Sequence, residues 1–524
     1  MTSFHTSFTS LTALWPDSGA PKLPGPKPVQ ENTYPHSPVD RRRSCNIASS
    51  PLMRIIATSR GFVAVCTIVS VPLEKSCLLQ QFFSSVSLLL DYFRGTSWPR
   101  NIYKDDVDFT TLALQSPAFA KYVKPNGQLD FSDPDAVRQL TKSLLKRDFN
   151  LNVEIPENRL CPPVIKKEIT NAEIANVLTR HGTGCCSIYP LLGCTTRPLW
   201  EFFATGNQSR LQSPSDGWKA HKNLDIDNEN VRTARENVTN NGLDGRIRVF
   251  KTERTDDLIP LDTKLGIQRL DFTMCNPPFY SSREEMIASA EAKERPPFSA
   301  CTGDEVEMVT EGGEIAFVHR MIEESLHLRK RVVWYTSMLG KLSSVSAIVE
   351  KLMEYGNNNY AVTEFVQGSK TKRWAVAWSW TDLRPSMKVA RGIPGFPKHL
   401  LPFPSEFMFE IMNQSIDEIS DKIDKELSSL RIHWTWRKNL ATGVGFAMEN
   451  VWSRQARRKL QNSAGAADMM EIEEDGAALA FKVQLKQDRL DEKSVRVVVR
   501  WLKGLDSVLF ESFCGMLKRK VEGR

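Results

Sequence analysis

Asn276, Pro277, Pro278 and Phe279 are consecutive and follow directly on the apolar run LDFTMC that ends at Cys275. Open α/β sheets bind ligands at the carboxyl ends of their strands, so a strand over 270–275 would deliver this tetrapeptide to that edge. Two successive prolines fix two φ angles and remove two amide donors, which leaves a stiff turn that presents carbonyl oxygens. The exocyclic amine of adenine is a poor nucleophile because its lone pair is drawn into the ring. Hydrogen bonds accepted by the Asn276 side-chain oxygen and the Pro277 carbonyl would localise that pair, and Phe279 would stack on a base turned out of its helix. Alignment for in-line methyl transfer then supplies much of the rate without a general base of unusual pKa.

Upstream, Gly182-Thr183-Gly184 precedes CCSIYPLLGC. Glycines there would let the backbone approach a ligand closely, and the following segment would offer amide donors. Further on, DIDNENVRTARENVTNNGL places Asp225 and Asp227 just before a helical pattern carrying Val231, Ala234 and Val238. An acid at the end of the second strand of such a sheet is the usual partner of a ribose diol. Basic residues cluster at Arg100 and Lys104, at Lys293 and Arg295, at Lys370, Lys372 and Arg373, and at Arg454, Arg457, Arg458 and Lys459. Phosphate contacts need such side chains with little demand on sequence. The ten cysteines form no CxxC pair and have no histidine at zinc-finger spacing, so no metal site is expected. They fit packed thiols in a reducing compartment.

The elements that must hold these residues are legible from periodicity. At 133–149, DPDAVRQLTKSLLKRDF sets Val137, Leu140, Leu144 and Leu145 on one helical face behind an Asp133 N-cap. Short β-rich runs then alternate with helical patterns: IRVFK, LDFTMC, the helical EIAFVHRMIEESLHL, RVVWYTS and KRWAVAWSW. Such alternation predicts an α/β fold built on an open sheet. The chain has 524 residues, 41% apolar and 25% charged, enough for two or three domains and incompatible with a rod or a wholly disordered chain. Its net charge of +7 fits a nucleic-acid partner. Residues 1–97, poor in acids and rich in serine, read as a disordered or appended segment. Their apolar patches are too short for a bilayer span, so no membrane partner is expected. The folded core is expected over 98–394 and a proline-rich linker over 395–404. Residues 405–524 would form a small α+β module with a disordered loop at 463–476. Within that module FEIMNQSIDEISDKIDKELSSL reads as an amphipathic helix, with a second helix near 451–462.

Taken in order, RNIYKDDVDF, LDFSDPDAVRQLTKSLLKRDFNL, IPENRLCPPV, GTG followed by SIYPLLGC, MCNPPF, EGGEIAFVHRMIEESL, WYTSMLGK and TEFVQGSKTKRWAVAWS resemble the U6 small nuclear RNA adenine-N6 methyltransferase family across about 300 residues. The resemblance implies a Rossmann-like, class I S-adenosylmethionine-dependent methyltransferase core. It also implies S-adenosylmethionine as cofactor, a structured RNA as partner and a nuclear location, with the cytoplasm also open. Carried over by motif, Gly182, Gly184 and Asp225 would contact the cofactor together with Asn276 and with Thr255 or Asp256. Asn276, Pro277, Pro278 and Phe279 would hold the adenine, and Arg100, Lys104, Lys293 and Arg295 would contact RNA. Two segments lack a counterpart in the family pattern, IKKEITNAEIANVLTRH and GNQSRLQSPSDGWKAHKNL. Two other functions fit the same residues: a catalytically silent RNA-binding protein, and an amino-methylase of DNA adenine or protein glutamine.

Overall fold

The structure is a computed structural model that describes residues 53–60, 63–70, 107–157, 159, 186–196, 200–207, 222–253, 255–291, 308–367, 371–456, 458, 476–487 and 494–523. Two strands, β1 (Met53–Arg60) and β2 (Val63–Ser70), form an antiparallel hairpin. Both lie in the segment expected to be disordered or appended; their β-branched and apolar residues favour extended backbone. The other residues of 1–97 lie outside the described set.

Helices α1 (Phe109–Gln115) and α2 (Pro134–Phe149) follow. The Asp133 side chain caps α2 by accepting from the Asp135 amide at 2.9 Å, as its sequence predicts, an interaction worth about 1 kcal/mol. The buried face of α2 carries Val137, Leu140, Leu144 and Leu145. Next come α3 (Ile188–Thr196), β3 (Trp200–Asn207), α4 (Lys222–Asn240), β4 (Ile247–Thr252) and β5 (Leu270–Phe272). They lead to α5 (Arg283–Glu291), α6 (Gly313–Leu328), β6 (Val332–Leu339), α7 (Leu342–Glu354), β7 (Tyr360–Gln367), β8 (Thr371–Trp378) and the short β9 (Arg391–Gly392). One sheet has the order β2-β1-β3-β4, with β1, β3 and β4 parallel. A second has the order β5-β6-β8-β7-β9, in which β5 and β6 are parallel and β8 is antiparallel to β6 and β7. Parallel strands joined by helices, closed by an antiparallel hairpin, make this an α/β core of the Rossmann-like class.

The segment expected as a linker is packed. Phe396 and Leu400 are buried in the same apolar cluster as Val345, Ile348 and Val376. Beyond it, β10 (Glu406–Met412) precedes α8 (Ile416–Ser428). The helix expected from Phe409 onward therefore starts seven residues later. Alternation of Phe407, Phe409 and Ile411 inward favours strand, and the Ser415–Glu418 capping box fixes the helix start. Strands β11 (His433–Arg437), β12 (Thr442–Ala447), β13 (Leu479–Gln487) and β14 (Ser494–Lys503) complete an antiparallel sheet of order β10-β14-β13-β12-β11, and α9 (Ser507–Val521) ends the module. Helices α8 and α9 bury Ile419, Ile423, Phe510 and Phe513 against one sheet face at Phe481, Val483 and Val497. Of the second expected helix, near 451–462, residues 451–456 and 458 are described, and 454–456 and 458 are helical; the loop expected at 463–476 lies, but for Gly476, outside the described residues.

The module is fastened to the core through Arg384. Its guanidinium donates to the carbonyls of Gly504 (2.7 Å), Leu505 (3.2 Å) and Asn358 (3.0 Å) and lies 4.0 Å from the centre of the Trp501 ring. The Gly504 amide donates back to Asp382 O at 2.8 Å.

Candidate active site

The ladder between β5 and β6 continues past the last β5 residue. The Thr273 amide donates to Trp334 O (2.8 Å), the Cys275 amide to Thr336 O (3.1 Å) and the Met338 amide to Cys275 O (2.9 Å). Asn276 thus leaves the sheet at the carboxyl edge of a parallel strand. Asn276, Pro277 and Pro278 are buried and Phe279 is half-buried. Asn276 is 5% exposed, and its Oδ1 is buried with no hydrogen-bond partner among the described residues. A buried acceptor left without a donor costs ~1–3 kcal/mol, and such a cost persists where a ligand supplies the missing donor. Burial pushes the Cys275 thiol well above its ordinary range, so this neighbour stays protonated and is no nucleophile.

The turn is clasped from two sides. Glu285 accepts from the Ser281 amide (2.7 Å) and hydroxyl (2.6 Å) and from Lys341 Nζ (2.7 Å), which hold its carboxyl down to about 2. Gly313, at the start of α6, adopts a φ of +64°, and a Cβ there would stand 3.5 Å from Phe279 O and 3.4 Å from the Ser281 amide. The Arg373 guanidinium lies 5.3 Å from the centre of the Phe279 ring. Burial lowers the pKa of Arg373, while Tyr280 and Glu314 oppose that shift. The sequence pattern placed Arg373 in a generic basic group and gave Glu285 and Glu314 no role. An acid right after paired glycines at a helix start was the available signal for Glu314.

The residues expected to bind a methyl donor are distributed as follows. Gly182, Gly184, Arg100, Lys104, Lys293 and Arg295 lie outside the described residues. Asp225 falls inside the first turn of α4, eighteen positions after β3 ends at Asn207, rather than at a strand terminus. Thr255 is exposed in the turn after β4. Asp256 is engaged: its carboxylate accepts from Lys264 Nζ and from the Glu253 amide, both at 2.5 Å. Of this pair, Thr255 is the more exposed to solvent.

The module carries a second cluster that single basic groups did not reveal. Lys482 pairs in register with Arg500, and Lys486 with Arg496, on the sheet face opposite α8 and α9. Arg496 donates to Glu410 at 2.8 Å. The signal lay in the alternation of FKVQLK and VRVVVR, which puts every second residue on one face.

A family model described as RNA methyltransferase matches residues 94–382. The chain is 33% identical over 416 residues to the U6 small nuclear RNA (adenine-(43)-N(6))-methyltransferase of Schizosaccharomyces pombe, covering 76% of this chain and 96% of that protein. It is 37% identical over 303 residues to the human RNA N(6)-adenosine-methyltransferase METTL16, covering 54% of this chain and 50% of that protein. A solved structure of the hMettl16 catalytic domain in complex with MAT2A 3'UTR hairpin 1 aligns at 35% identity over 55% of this chain and 96% of that one, with a TM-score of 0.44.

Proposed function

The chain belongs to the RNA methyltransferase family, and from that premise we propose that it transfers a methyl group from S-adenosylmethionine to N6 of an adenosine in a structured RNA, with U6 small nuclear RNA as the substrate. The observation that carries the proposal is the buried Oδ1 of Asn276, unpartnered among the described residues, on a proline-stiffened turn at the carboxyl edge of the sheet. That oxygen and the Pro277 carbonyl accept from the amine, and Phe279 supports the ring of the extruded base. S-adenosylmethionine, when bound, supplies a methyl carbon made electrophilic by its sulfonium. Thr255 and, by family pattern, Gly182 and Gly184 contact the donor. Arg100, Lys104, Lys293 and Arg295 take phosphates around the core, and the Lys482, Lys486, Arg496 and Arg500 ladder gives the module its RNA affinity. A U6 substrate implies residence in the nucleus.

The test is incubation of the purified chain with a U6 transcript and methyl-labelled S-adenosylmethionine, followed by nuclease digestion and mass spectrometry of the nucleosides. Label in N6-methyladenosine is the expected result. RNA binding without label would favour a silent RNA-binding protein, and label appearing only with DNA or a glutamine peptide would move the acceptor.

A further inference from the structure

Glu314 is the second residue of α6 and only 3% exposed. Its Oε2 accepts from the Gly340 amide at 2.6 Å and its Oε1 from the Lys341 amide at 3.2 Å. The two amides lie where β6 ends and α7 begins, and Lys341, the N-cap of α7, has no side-chain cap of its own. One carboxylate thus spans two successive backbone donors of another element, a charge-assisted grip on that junction. What the junction touches gives the grip its meaning. A Cβ on Gly340 would stand 2.9 Å from Phe279 Cδ1 and 3.3 Å from Cε1, so the ring rests directly on the Gly340 backbone. Lys341 reaches round through its side chain to Glu285, which holds Ser281 two residues beyond Phe279. Burial pushes the Glu314 carboxyl up, while the Gly340 and Lys341 amides and the Ser344 hydroxyl oppose it.

We propose that Glu314 is a positioning residue for methyl transfer, which fixes the Phe279 ring and the turn behind it through the Gly340–Lys341 backbone. This rests on the proposed stacking of the acceptor adenine on Phe279. Glu314→Gln keeps the shape but turns an amide group toward one of the two N–H donors, so the junction loosens and the ring gains freedom. A misplacement of about 1 Å costs up to ~100-fold in rate. The expected result is a fall in kcat of about 10- to 100-fold with the KM for RNA within about threefold. In a Phe279→Ala background the same substitution should add less than about threefold, because the ring through which Glu314 acts is gone. Gly340→Ala retains Glu314 but sets a Cβ 2.9 Å from Phe279 Cδ1 and 3.2 Å from Glu314 Oε2, so it presses on both the ring and the carboxylate; it should reproduce the kinetic defect, and it decides the question if Glu314→Gln does not fold.

A second readout needs neither RNA nor cofactor. Amide hydrogen exchange followed by mass spectrometry should show faster exchange in the segment 279–285 of Glu314→Gln, with the β6 peptides as protected as in the wild type. Unchanged exchange in 279–285, or effects of Glu314→Gln and Phe279→Ala that simply multiply, would overturn the assignment. If exchange rises as expected while the wild type methylates no RNA, the positioning role stands and the adenine reading is what fails.

Discussion

Asn276→Ala separates function from stability because the group it removes is not satisfied within the fold. Asn276 Oδ1 is buried and unpartnered among the described residues, a burden of ~1–3 kcal/mol that the substitution relieves. The small void left at a 5% exposed site costs ~1–2 kcal/mol in the other direction. The two nearly cancel, so stability should change by no more than about 1 kcal/mol, or roughly 2–4 °C in Tm for a domain of this size. In the transition state the loss is one-sided. Removing one preorganised acceptor costs about 3 kcal/mol, which corresponds to ~150-fold in kcat/KM. The assay is single-turnover methylation of U6 RNA, read beside thermal melts and RNA binding on the same preparations. Expected are a loss of two decades or more in rate, RNA affinity within about threefold of wild type and a nearly unmoved Tm. A rate within threefold of wild type would refute the assignment of Asn276. A Tm lowered by more than about 8 °C would show that its oxygen is partnered in the fold, and the argument from an orphaned acceptor would be wrong.

Arg384→Ala should uncouple the C-terminal module from the core, since it strands carbonyls that the guanidinium now satisfies at Gly504, Leu505 and Asn358, at a cost of about 3 kcal/mol or more. Calorimetry should show one melting transition becoming two, and a single unshifted transition would contradict the fastening role. Burial raises the Glu324 carboxyl to about 7, beside Arg320 Nε at 3.2 Å and the Ile259 amide at 3.1 Å. A folded pKa above the unfolded value means that stability is fully present below about 4.5 and is lost as the pH rises through about 7. Glu324→Gln should therefore gain Tm relative to wild type at pH 8 but not at pH 4, and an equal difference at both would remove the linkage. Arg100→Ala combined with Lys104→Ala should weaken RNA binding and lower the log–log salt slope by up to ~1.8. Filter binding with an unchanged slope would return both residues to solvated surface.

Local chemistry was legible in the residues themselves. The tetrapeptide, its strand and the capped helix at 134–149 follow from properties that travel with the sequence: proline geometry, apolar periodicity and an acid at an N-cap. The class of fold follows from the alternation of strand and helix patterns, and the mild basic balance from composition. Tertiary structure decided everything that joins residues distant in sequence. Asn276 Oδ1 is orphaned because none of the described residues brings a donor to it, which only the packing could show. Glu314 acquires meaning through amides 26 and 27 residues away, and Arg384 through carbonyls more than a hundred residues away. The strand at 406–412 won over a helical pattern because pairing with β14 satisfies its backbone and turns Phe409 and Ile411 into a shared core. The same pairing logic made a packed segment of the proline-rich stretch near 395, since burying Phe396 and Leu400 offsets the entropy of ordering it. Composition sets which groups a chain possesses; which of them end up without a partner depends on what the fold brings within about 3 Å.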